Sequence, residues 1–212
     1  MTEHETARLN MVENQLRPNR IMDQRVLDAM AAVPRERFLP ERLRGVAYAD
    51  EDIPLGAGRF LIEPLALAKM VQAATVQHSD KALVAGDATG YSAAIMCRLA
   101  GKVHLLLPAG TAPGEGLAGV PGVQVHSGET LRGLPELAPF DVILLVGALD
   151  QAPHDLLHQL ADGGRLATVI DDRRAGRVTI FRRVGDAFGR TTPFEAGVPR
   201  LPDLPTVQAF EF

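Results

Sequence analysis

Apolar positions change rhythm twice along this chain. Over residues 5–32 they follow a helical pattern, with Ile21, Val26, Leu27, Met30 and Val33 recurring every three to five residues as one buried face would require. Asp23 stands where a helix cap accepts backbone N–H groups, and Pro18 and Pro34 punctuate the two ends. Between Pro34 and Pro64 the periodicity is lost, with further prolines at 40 and 54 and glycines at 56 and 58. An irregular stretch of about thirty residues in a compact domain is more often a binding segment than a plain connector. Helix returns at Pro64, where proline suits the first turn, and carries Leu65, Leu67, Ala68, Met70 and Val71.

After Ser79-Asp80 the rhythm becomes short apolar runs alternating with helical ones. Strands are predicted at 81–85, 103–107, 123–126, 141–146, 165–170 and 178–183, with a last edge strand at 207–212. Helices are predicted at 92–100 and at 156–160, the latter ending at Gly163-Gly164. Apolar strands alternating with helices predict an α/β fold, a mostly parallel sheet covered on both faces. The runs on either side of residues 171–176, DDRRAG, lie close enough to form an antiparallel C-terminal hairpin, with the charged residues as its exposed turn. One segment resists the pattern. Residues 108–122, PAGTAPGEGLAGVPG, occupy the place of a crossover helix but are too rich in Gly and Pro to form a good one. The chain is taken as a single domain, residues 1–78 forming an N-terminal helical and loop segment and 79–212 the sheet core.

Composition narrows the function classes. The chain has 212 residues, 46% hydrophobic, and a formal net charge of -4, which gives no support for a nucleic-acid or anionic-membrane surface. No apolar run approaches the ~18 residues needed to cross a bilayer, and the polar N-terminus is unlike a secretory signal. A soluble, cytoplasmic protein is expected. Cys97, the one cysteine, sits in an apolar helical pattern and reads as a buried small hydrophobe. His154 and His158 share one helix face at metal-ligand spacing, but Asp155 replaces the glutamate of the zinc-protease pattern, so a solvated face is expected and no metal site. Arg35, Arg37, Arg42 and Arg44 form a basic cluster amid acids, read as a solvated face.

The stretch ALVAGDATGYSAA, residues 82–94, carries the candidate chemistry. A buried strand runs into Gly86-Asp87-Ala88-Thr89-Gly90 and directly into a helix, the outline of a nucleotide-binding turn with alanine at the middle glycine. The acid expected at the end of the next strand, where a carboxylate grips ribose hydroxyls, is absent; that strand ends on Leu107-Pro108.

Residues 11–70, from MVENQLRPNR to EPLALAKM, together with GDATGYSAAIMCRLAGKV, VHSGETLRGLPELAPFDVILLVGAL and LLHQLADGGRLATVI, resemble the protein-L-isoaspartate O-methyltransferase family across roughly residues 11–170. The resemblance implies a Rossmann-like class I methyltransferase sandwich that uses S-adenosylmethionine to methylate an isoaspartyl carboxylate in protein or peptide substrates, which begins their repair. It assigns Gly86, Asp87, Ala88, Gly90, Tyr91, Glu129 and Thr130 to the cofactor, and Asp52, Gly58, Arg59 and Glu63 to the substrate loop. Several family positions are altered. Ile62 stands where the loop's serine contacts the substrate carboxylate, Phe60 replaces a threonine, Val84 and Leu107 replace acids, and Leu134 replaces a tryptophan. Neither Ile62 nor Phe60 can donate a hydrogen bond. The alternative is therefore a non-catalytic relative acting through protein–protein contacts, its cofactor pocket partly filled by side chains.

Overall fold

The computed structural model describes residues 2–171, 176–202 and 204. Helix α1 (Glu3–Asn10) starts at a capping box, Thr2 accepting from Glu5 N while Glu5 reaches back to Thr2 N, and continues into a wider turn, Met11–Leu16. Helix α2 (Gln24–Ala32) starts at Asp23, whose side chain accepts from Arg25 N. The helical stretch predicted over 5–32 is thus broken in two: Pro18 supplies no N–H, and the chain turns at Asn19 and Arg20, the latter at φ 66°.

The segment from Pro34 to Pro64 is more ordered than its composition suggests. It holds 3-10 turns at Arg35–Phe38 and Glu41–Val46, then a small antiparallel hairpin, β1 (Ile53–Gly56) with β2 (Arg59–Leu61). Helix α3 (Pro64–Ala74) follows at the predicted proline.

Seven strands build the main sheet: β3 (Lys81–Ala85), β4 (Lys102–Pro108), β5 (Val123–Gly128), β6 (Phe140–Leu149), β7 (Leu160–Asp171), β8 (Gly176–Val184) and β9 (Ala187–Glu195). Their order is β5-β4-β3-β6-β7-β8-β9. The first five pair in parallel, and β7-β8-β9 run antiparallel, as the predicted C-terminal hairpin requires. Helix α4 (Tyr91–Met96) leaves the turn after β3, and α5 (His154–Leu157) precedes β7.

Two expectations need correction. The helix predicted at 156–160 ends at Leu157, and Gly163-Gly164 lies inside β7: the register slips between the Phe140–Leu160 and Val142–Arg165 pairs, and a β-carbon on Gly164 would come 3.0 Å from the Phe140 carbonyl oxygen. These glycines make a bulge, not a helix stop. Strand β9, unforeseen because its exposed residues hide its period, forms one edge of the sheet; the strand predicted at 207–212 lies outside the described residues, as do residues 172–175 of the predicted turn. Arg35 is no part of a solvated face; it is fully buried.

The crossover from β4 to β5 is a 3-10 turn, Glu115–Gly119, in place of a helix. Gly114 and Gly116 let it lie flat on Phe38, since a β-carbon on Gly116 would approach the ring to 2.6 Å. One face of the sheet packs Val84, Leu105 and Val142 against Leu67, Met70 and Ile95; the other packs Leu83, Leu106 and Ile143 against Leu156 and Leu157. Among the described residues no helix is long and apolar enough to cross a membrane.

Candidate functional site

From β3 the chain crosses to β4 and then β5 on one side, and later returns through β6 to β7 on the other. The carboxyl ends of β3 and β6 are therefore the switch point at which open α/β sheets bind ligands. The turn after β3 lies there. Gly86 at φ 81° and Gly90 at φ 86° both take left-handed backbone, and a β-carbon on Gly86 would lie 2.4 Å from the Val146 carbonyl oxygen of β6. Only glycine lets the two chains pass so closely.

Asp87 closes this turn upon itself. Its Oδ1 accepts from Thr89 N at 2.8 Å, Thr89 Oγ1 at 2.8 Å and Gly90 N at 3.0 Å, and Oδ2 accepts from Ser92 N at 2.7 Å. Four donors on one buried carboxylate hold the turn's shape without any ligand. Tyr91 is fully buried beneath it, edge-on to Phe38 and with its hydroxyl 3.7 Å from Met30 Sδ.

Arg35 ties this turn to the hairpin. Its Nε donates to Ala47 O at 2.7 Å and Nη2 to Ile62 O at 2.6 Å, while its Cζ stands 4.9 Å from the Tyr91 ring centroid. Burial lowers the pKa of Arg35 from the ordinary arginine value, and the Tyr91, Tyr48 and Asp87 side chains oppose that shift. Ile62 turns its own side chain into the core, 3% exposed. Glu63 N donates to Asp52 Oδ1 at 2.8 Å. Burial raises both carboxyls above their usual range; in Glu63 the neighbouring Asp52 and Asp50 charges add to it.

The structure gathers Gly58, Arg59, Phe60, Ile62 and Gly86 around one cavity with Val146 and Gly147 of β6. Asp52 and Glu63, joined by that hydrogen bond, are not among the residues that line it. Glu129 and Thr130 are not brought there: they follow β5, two strands from β3, where Glu129 is exposed and Thr130 is buried. Leu107, at the expected ribose acid, is 2% exposed and offers no acceptor. Cys97 is half-buried, its thiol pushed up to about 11 by burial, and His154 and His158 are both exposed.

What fills the cavity is a segment that sequence reasoning overlooked. Residues 199–202 line it, and only about 20 Å³ remains open, room for about one water molecule. Pro199 O accepts from Ala148 N at 2.9 Å, and Leu201 N donates to Ala148 O at 3.1 Å. Arg200 pairs with Asp150. Leu201 places its side chain between the two glycines: a β-carbon would meet it at 3.0 Å from Gly86 and at 2.6 Å from Gly147. The run VPRLP, extended by its prolines, was the signal available.

A family model described as protein-L-isoaspartate(D-aspartate) O-methyltransferase matches residues 7–195. The chain belongs to this family. A protein-L-isoaspartate O-methyltransferase of Roseiflexus sp. (strain RS-1) is 39% identical over 173 residues, 79% of each chain. Two solved structures share the fold. One, titled protein-L-isoaspartate O-methyltransferase, superposes with a TM-score of 0.75 at 20% identity, covering 93% of this chain and 65% of its own. The other, a Plasmodium falciparum protein solved with S-adenosyl-L-homocysteine, gives 0.75 at 17% identity over 95% and 99%. The isoaspartyl methyltransferase resemblance and the class I methyltransferase fold expected from the sequence both hold.

Proposed function

We propose that this member of the isoaspartyl methyltransferase family transfers a methyl group from S-adenosylmethionine to isoaspartyl carboxylates of damaged proteins or peptides, in the cytoplasm. The observation that carries the reading is the turn at Gly86–Gly90, held in left-handed geometry at the switch point of a chain that matches the family from residue 7 to residue 195. Relatives at about two-fifths identity bear that activity in their names, and a protein of the same fold was solved with the product form of the cofactor.

The cofactor turn is altered at one point: the Leu107 side chain, at the end of β4, offers a ribose no acceptor. A non-catalytic role in protein–protein contact is the second reading, favoured by Ile62, which places a core side chain where the family presents a hydroxyl.

Labelled S-adenosylmethionine and an isoaspartyl peptide, incubated with the protein, separate the two. Label transferred to the peptide, and not to its aspartyl counterpart, is the expected result. No transfer, with no heat from S-adenosylhomocysteine at millimolar concentration, would leave the second reading.

A further inference from the structure

We propose that Arg35 and Asp52 are positioning residues for methyl transfer: from opposite sides they clamp the Ile62–Glu63 peptide, and so set the distance of the substrate loop from the cofactor turn. The proposal rests on the methyltransferase reading and deepens it by naming what holds the loop in place.

The clamped peptide is a joint between two elements. Strand β2 ends at Leu61, paired with Ile53, and helix α3 begins at Pro64. Between them the Ile62 carbonyl accepts from Arg35 Nη2 at 2.6 Å, and the Glu63 N–H donates to Asp52 Oδ1 at 2.8 Å. The C=O and N–H of a trans peptide point in opposite directions, so a cation on one side and a carboxylate on the other fix its plane. Asp52 stands directly before β1, and the Arg35 charge opposes the rise that burial imposes on its carboxyl. The two halves of the clamp therefore support each other across the peptide.

Arg35 also meets the cofactor turn. Its Cζ stands 4.9 Å from the ring centroid of Tyr91, the first residue of α4, directly after Gly90. Nε is fastened to Ala47 O at 2.7 Å. Burying a cation is costly, and packing alone would be served by an apolar side chain of similar volume. What the guanidinium adds is a rigid fork whose arms reach two chain segments at once. In-line methyl transfer needs the acceptor oxygen and the methyl carbon about 3–3.5 Å apart and aligned, and a displacement of about 1 Å can cost about a hundredfold. The loop's own side chains cannot set that distance by bonding a ligand: Ile62 turns into the core, and Phe60 has no hydroxyl. The backbone has to be placed beforehand, and Arg35 and Asp52 place it. The cofactor turn does not depend on them, since Asp87 closes it with four hydrogen bonds of its own.

Initial rates of methyl transfer from S-adenosylmethionine to an isoaspartyl peptide test this on the full chain, each substrate being varied in turn. The unaltered protein is compared with Asp52→Ala, Asp52→Asn, Arg35→Met and the double variant Arg35→Met/Asp52→Ala. Asp52→Asn keeps an oxygen that can accept from Glu63 N and serves as the conservative rescue. In Asp52→Ala and in Arg35→Met, kcat/KM for the peptide should fall about tenfold or more, while KM for S-adenosylmethionine stays within about twofold. Asp52→Asn should recover most of the loss. The double variant should be no worse than the poorer single one, because a peptide released on one side is no longer held from the other. Unchanged peptide kinetics in both single variants overturn the clamp and leave the methyltransferase reading standing. So do losses that multiply in the double variant, or peptide and cofactor constants that worsen together. No transfer by the unaltered protein, with a thermal melt showing it folded, overturns both. If Arg35→Met does not fold, the Asp52 pair decides alone, because the clamp needs both halves: a loss in Asp52→Ala that Asp52→Asn rescues supports it, and an unchanged kcat/KM overturns it.

Discussion

The two ends of the sheet are closed by opposite means. At the amino end Arg165 of β7 inserts a buried guanidinium against Asp80, Nη2 to Oδ2 at 2.5 Å and Nη1 to Oδ1 at 3.2 Å. Its remaining donors reach Ala74 O, Thr75 O and Asp141 O, so all five N–H groups are used. That one side chain joins the end of α3, the approach to β3, and the starts of β6 and β7. At the carboxyl end the closure is a leucine between two glycines, two backbone hydrogen bonds and an ion pair that is 49% exposed on its arginine side. A satisfied, dry polar network cannot open in parts, whereas an apolar segment laid in a groove can. The end that must hold the fold is locked, and the end that faces a ligand is only covered.

The strongest way to break this contrast is to unlock the amino end. Arg165→Leu strands the Asp80 carboxylate and three carbonyls in the interior, and should cost about 3–5 kcal/mol by urea denaturation. S-adenosylhomocysteine affinity of the folded fraction should not change. A loss below about 1 kcal/mol would show that the network is not what holds that end.

The same contrast explains what could be read from the chain. Strands β3, β4 and β6 were legible because both faces are buried, leaving unbroken apolar runs. Strand β9 was not, because nearly all its side chains are exposed and its only signal is pairing with β8. In the candidate site, the turn at Gly86 and its altered neighbours were visible as residue types. Arg35 was misplaced because a basic cluster looks solvated until backbone carbonyls such as Ala47 O and Ile62 O converge on one member. The packing of residues 199–202 was invisible for a different reason. Leu201 lies over a hundred residues from Gly86, and its role depends on a space that two glycines leave empty, which only the sheet topology reveals.

A smaller effect should appear with pH, again nearer the amino half of the sheet. His104 of β4 is 1% exposed, with Nδ1 3.1 Å from His126 Nε2 and its ring edge-on to Phe140. Burial, and then the Lys102, His126 and Lys81 charges, push its pKa down to about 4. Because the folded value lies below the unfolded one, near 6.5, the contribution to stability is complete above pH 6.5 and is lost as pH falls towards 4. The loss should reach up to about 3 kcal/mol across that window. Denaturation curves at pH 7.5, 5.5 and 4.5 should show it in the unaltered protein and a flatter trend in His104→Leu; equal slopes would remove His104 as the cause.

The smallest expected change in global stability is also the sharpest test of the carboxyl end. Arg200→Ala deletes a partly exposed ion pair with Asp150, and such pairs are worth under about 1 kcal/mol. The melting temperature should therefore shift by no more than about 4 °C. The Leu201 amide, bonded to Ala148 O, should nevertheless exchange its hydrogen several-fold faster, because the lost pair held only the segment and not the fold. Amides within β3 should keep their rates. If Leu201 and β3 slowed or quickened together, the segment would open only with the whole molecule, and the carboxyl end would be as locked as the amino end.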